Sequence, residues 1–128
     1  MEFNDYPDDC PPYDARDTAN YEVMFRFLGK NRQEVTIDDL KSYYDMGRAD
    51  EDDCQGRGLS IYTSEEGVRK ARKQVKGFKN KCVARGVLVE GMGRLKNTPG
   101  TVANHHTWWV ASDAPREPIT LFAYVDKL

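Results

Sequence analysis

The sequence predicts an α+β fold: one small domain with a mostly antiparallel, twisted sheet and two helices. Three observations lead there. The 128 residues leave room for a single hydrophobic core. Segments of strand period outnumber those of helix period, and they gather in the second half, where neighbours can pair antiparallel. The helix signals come early and do not alternate with strands as in a wound parallel sheet. The predicted order is β-α-β-α-β-β-β.

Residues 1–20 read as an acidic, proline-containing arm, and 21–128 as the α+β domain. Pro7, Pro11 and Pro12 stand among Asp residues with no periodic apolar pattern, so the arm is extended, whether poorly ordered or hugging the surface. From Tyr21 the chain changes character. Tyr21, Val23, Phe25 and Phe27 alternate with Glu22, Met24, Arg26 and Leu28, a strand ended by Gly29. Thr36 is an N-cap for a helix through Met46, with Asp38 and Asp39 in its first turn and Gly47 as its stop. An acidic loop over 48–57 follows.

Gly58 to Tyr62 reads as a strand leading directly into a helix. Thr63 with Glu66 makes a capping box, and the helix runs to about Val75, with Val68, Ala71 and Val75 on one arc and Arg69, Arg72, Lys73 and Lys76 on the next. Cys82 to Val89 is apolar on both faces apart from Arg85, which places it inside the sheet. Asn97 to Gly100 is a turn, His105 to Val110 a strand, Ala114 to Pro118 a turn, and Ile119 to Val125 the last strand.

Composition narrows the class. The chain is 39% hydrophobic and 31% charged, polar yet within the globular range. No apolar run approaches the roughly 20 residues that cross a bilayer, and the acidic start lacks the features of a secretory signal. Cys10, Cys54 and Cys82 are odd in number and widely spaced, which favours free thiols and a cytoplasmic address. The net charge of -2 hides a separation of sign: residues 1–20 and 45–53 are acidic, while 69–96 hold ten Lys and Arg against Glu90 alone. Two readings stand, an anion-binding surface and a solvated or internally neutralised face.

Familiar catalytic patterns are lacking. His105 and His106 are the only histidines, and on a strand they point to opposite faces, so no metal is expected. Gly91-Met92-Gly93 lacks the third glycine of a dinucleotide loop and the ending of a P-loop, and reads as a hairpin connection. Neither Ser60 nor Ser64 lies in a nucleophile elbow. Of Trp108 and Trp109, alternation sends one to the core and one to the other face, where it either stacks on a base or covers the sheet.

Two blocks carry a family likeness. Gly58-Leu59-Ser60-Ile61-Tyr62-Thr63-Ser64, followed by a helix with Val68 and Ala71, resembles the second block of ADP-ribosyltransferase-like folds. Phe25-Arg26-Phe27-Leu28-Gly29 resembles the first. The likeness covers about a quarter of the chain. It implies NAD as cofactor, Arg26 on its ribose or phosphate, and Ser60 and Tyr62 lining a nicotinamide pocket. The family's late-strand Glu or Gln has no counterpart, since His105, His106 and Trp108 stand there. The sequence thus points to an intracellular domain that binds an anionic nucleotide or nucleic acid, as an ADP-ribosyltransferase-like enzyme or as a binder only. Its ligand-binding residues are Arg26, Ser60, Tyr62, Arg69 and Arg72, with His106 as acid/base. The alternative is a non-catalytic protein-interaction module using complementary acidic and basic surfaces.

Overall fold

A computed structural model describes residues 1–114 and 122–125. Seven strands form one sheet: β1 (Arg16–Asp17), β2 (Glu22–Lys30), β3 (Leu59–Tyr62), β4 (Lys81–Leu88), β5 (Gly93–Asn97), β6 (His105–Val110) and β7 (Phe122–Val125). Their order is β1-β5-β6-β3-β2-β4-β7, and every pairing is antiparallel. One α-helix, α1 (Glu65–Gln74), joins them, with short 3-10 turns at Ile37–Leu40 and Gln55–Arg57. The α+β reading holds, with one helix among the described residues where two were expected.

The missing helix has a physical cause. Residues 36–46 start as predicted: Thr36 N–H donates to the Asp39 carboxylate at 2.7 Å, closing the first turn. The carbonyls of Asp39 and Lys41, which a continuing helix would offer to its own next turn, are instead taken by Arg26 at 2.7 and 3.0 Å. The chain therefore turns extended at Lys41, with φ -102 and ψ 137. A separate turn then forms in which Ser42 and Asp45 exchange side-chain to backbone hydrogen bonds.

The second predicted helix forms, capped one residue later than expected. Ser64 Oγ accepts from Gly67 N–H at 3.0 Å, because Thr63 is occupied by Asn104 at both its backbone N–H and its hydroxyl. Asn104 also lies so close to Gly67 that a Cβ there would overlap its side chain. Glycine at 67 is what lets α1 approach the start of β6. The helix buries Val68 and Ala71 against Phe25, Tyr62 and Val83 on one sheet face. The other face carries Met24, Leu28, Leu59, Ile61, Leu88, Leu95 and Trp108, covered in part by Val35 and Leu40 of the long β2–β3 connection.

β4 sits inside the sheet as expected, between β2 and β7. β5 was not anticipated, and it changes the reading of the glycines before it. β4 and β5 lie on opposite sides of the β6-β3-β2 group, so Gly91-Met92-Gly93 is a crossover connection and not a hairpin. Gly93 has φ 131, and a Cβ there would meet the Trp109 carbonyl. The two tryptophans do take opposite faces, yet both are buried. Trp108 Nε1 donates to Met92 O at 3.0 Å, and Trp109 Nε1 to Cys54 O at 2.8 Å, which leaves neither free to stack on a base. The Ala114–Pro118 turn and the first residues of the last predicted strand, 119–121, extend beyond the described residues.

The N-terminal arm hugs the surface. β1 pairs with β5, the Tyr6 hydroxyl donates to Val110 O at 2.8 Å, and buried Thr18 bonds Val89 O and Met92 N. Cys10 and Cys54 form a disulfide across 44 residues, which corrects the expectation of three free thiols; Cys82 is free. The cytoplasmic expectation rested on those free thiols and loses that ground.

Candidate functional site: a cleft where the sheet parts

β2 and β4 are held together along seven register pairs, but β2 and β3 by one alone, Phe25 opposite Tyr62. Past that pair the ladder stops. Its exposed backbone needs a partner, and Arg26 supplies one: its Nη1 donates to Ser60 O at 2.7 Å, while Nε and Nη2 reach the Asp39 and Lys41 carbonyls of the covering loop. Arg26 thus ties β2, β3 and the loop together. Burial pushes its pKa down to about 10, with Tyr43 and Asp39 opposing the shift. Glu22, a carboxylate four residues earlier on the same strand, pairs with Arg16 at 2.6 Å and not with Arg26.

Where the strands part lies a cleft of about 500 Å³. It brings together Arg26, Ser60 and Tyr62, three of the residues singled out from the sequence, and adds Tyr43, Arg48, Phe78, Lys81 and His105. One wall is a continuous run of rings. His105 meets Tyr62 edge-on at 5.7 Å, Tyr62 meets Phe27 at 5.5 Å, Phe27 meets Phe78 at 4.6 Å, and Lys81 Nζ stands 4.4 Å from the Phe78 centroid. Burial raises the pKa of Tyr62, so its hydroxyl stays protonated.

The electrostatics of the cleft are lopsided. Its acids are already matched: Asp39 pairs with Arg32 at 2.8 Å, and Asp38 with Lys41 at 2.7 Å. Arg48 and Lys81 have no carboxylate partner among the described residues. The Lys81 pKa is lowered by burial first and then by the charges of Arg26 and Arg48. Arg26, Arg48 and Lys81 thus gather three cations on one concave surface.

The remaining predicted residues lie elsewhere. Arg69 is on the outer side of α1, paired with Glu65 at 3.2 Å. Arg72 stands outside the cleft but adjoins its wall, donating to Lys81 O at 2.9 Å with its guanidinium 5.8 Å from the Phe27 ring. His106 faces away from the cleft, its Nδ1 2.7 Å from Asn104 O. The imidazole in the cleft belongs to His105, on the alternate face of β6. Strand alternation alone makes one of the two adjacent histidines face Tyr62; choosing between them needs the β3–β6 register, in which Tyr62 opposes His105.

No protein-family model, curated protein or solved structure matches the chain. Among the described residues no helix is long and apolar enough to cross a membrane, and no group of three or more His, Cys, Asp or Glu residues could hold a metal ion.

Proposed function

We propose that the cleft binds an anionic nucleotide. The observation that carries this reading is the pairing of an aromatic wall, Tyr62, Phe27 and Phe78, with Arg48 and Lys81, which lack carboxylate partners among the described residues. An aromatic surface suits a base, and cations without a carboxylate partner suit phosphate. The same features suit NAD, the dinucleotide that the ADP-ribosyltransferase-like resemblance implies. In one respect the residues fit that resemblance less well, because three of the guanidinium donors of Arg26 are committed to backbone carbonyls. Binding without transfer is the function we carry forward. A transferase needs a carboxylate or amide held beside the forming oxocarbenium charge; the cleft's two acids among the described residues are each neutralised by a cation, which leaves the Gln55 amide as the lining group for that role.

The interaction-module alternative required an acidic arm available to a partner. Two of the arm's six acids, Asp14 and Asp17, are paired with Lys96 and Arg94 at 2.9 and 3.0 Å, so that part of the arm is neutralised within the chain. Thermal-shift titration tests the proposal. AMP, ADP and NAD should raise the melting temperature, and uncharged adenosine should not. The double variant Arg48→Gln, Lys81→Gln should lose the shift while folding normally. Absence of any shift at millimolar nucleotide would refute the reading.

A further inference from the structure

The ring run along the cleft wall has chemically different ends, and those ends specify how a ligand lies. At one end is the Lys81 ammonium, beside Phe78. At the other is His105, whose tautomer the structure fixes. Its Nδ1 lies 2.9 Å from Thr98 O, an atom that can only accept, so Nδ1 carries the proton. The Thr98 hydroxyl, 3.0 Å from the same nitrogen, is turned to the Thr107 hydroxyl at 2.7 Å. Nε2 is left as the one uncommitted polar atom of a ring that lines the cleft, and it presents a lone pair. Burial lowers the His105 pKa, which keeps that lone pair unprotonated at neutral pH. A hydrogen-bond acceptor at one end of a cationic cleft gains nothing from a fully ionised anion. It matches a group that donates.

We infer that the wall reads a nucleoside phosphate from end to end: phosphate at Lys81, the base along Phe27 and Tyr62, and a hydroxyl or amino donor of the nucleoside at His105 Nε2. This inference rests on the nucleotide reading and adds a direction of binding and a specificity-determining residue, His105. It also sets the ligand class apart from pyrophosphate and sugar-free anions, which satisfy only the cationic end.

The test uses the full chain with two probes, AMP and inorganic pyrophosphate, followed by calorimetry and by nitrogen NMR of the histidine rings. In the wild-type protein both probes should perturb Lys81. AMP alone should move the His105 Nε2 resonance, which should begin at the position of an unprotonated nitrogen. His105→Phe keeps a ring beside Tyr62 and removes the acceptor. It should weaken AMP about tenfold, the loss of one good hydrogen bond, and leave pyrophosphate unchanged. Lys81→Gln should weaken both. AMP binding that is indifferent to His105→Phe, or that leaves Nε2 unmoved, would overturn the inference while the nucleotide reading survives. If neither probe perturbs any cleft residue, both fall. Should His105→Phe fail to fold, the Nε2 response of the wild-type protein decides alone.

Discussion

Replacing Arg26 with Met separates a scaffolding arginine from a ligand-binding one. Met keeps the length and apolar stem but removes all three donors to the carbonyls of Ser60, Asp39 and Lys41. The bonds to Ser60 and Asp39 are partly buried, whereas the one to Lys41 is exposed, so water can replace it there. A buried acceptor left unsatisfied costs about 1–3 kcal/mol, which gives about 2–6 kcal/mol for the two inner carbonyls and little for the third. Arg26→Lys offers a single ammonium in place of a planar fork and should fall between Met and wild type. Urea denaturation at neutral pH reads the difference directly, as a lower midpoint at unchanged slope. A loss below about 1 kcal/mol together with abolished nucleotide binding would refute the scaffolding role and return Arg26 to the ligand.

Replacing both Cys10 and Cys54 with Ser releases a cross-link spanning 44 residues, worth about 4 kcal/mol by loop entropy, and should lower the melting temperature by on the order of 10 °C; thiol titration of the unfolded oxidised protein should find Cys82 only. Gly67→Ala should destabilise by about 1–3 kcal/mol through overlap with Asn104, although helix propensity favours Ala by about 1 kcal/mol; a stabilised variant would show that α1 does not dock this closely. Because burial holds the His105 pKa below its unfolded value of about 6.5, its contribution to stability is present above that pH and is lost as pH falls towards the folded pKa. Melting temperature should therefore decline between about pH 7 and 5.5, less so in His105→Phe, and an equal slope in the two proteins would contradict the assignment.

How much of this was legible in the sequence depends on how far away each residue's partner lies. β2, β3, β4 and β6 could be read because period-two alternation is local, and α1 because its cap and apolar arc lie within its own turns. The helix over 36–46 was misread because its carbonyls are taken by Arg26, 13 residues or more distant and on another element. β5 escaped notice because Gly93 to Asn97 holds one apolar residue, Leu95, among polar ones. The Cys10–Cys54 bond could not be deduced from spacing, since only the path of the arm over Trp109's side of the molecule brings the two together. In the cleft, Arg26, Ser60 and Tyr62 were visible from short motifs. Arg48, Lys81 and His105 were not, because each enters through strand register or loop path and carries no local pattern of its own.

The position of the cleft and the identity of residue 26 are two sides of one constraint. A sheet can part only where its freed backbone groups find other partners, since unpaired buried carbonyls are costly. Phe25 and Tyr62 close the last rung, and the next residue on β2 must then bridge a widening gap to Ser60 while also holding the loop that roofs it. Of the common side chains only arginine offers several donors in one rigid plane at the end of a long stem. The roof it holds at Lys41 continues directly into Tyr43 and Arg48, which face the cleft. Loss of Arg26 should thus weaken ligand binding even without direct contact, by releasing the loop that carries Arg48. The two roles differ in how stability responds to nucleotide: a loop-anchoring role lets high nucleotide concentration restore stability to Arg26→Met, because ligand and arginine hold the same walls together. A contact role predicts that unliganded Arg26→Met stays within about 1 kcal/mol of wild type and that nucleotide no longer raises its stability.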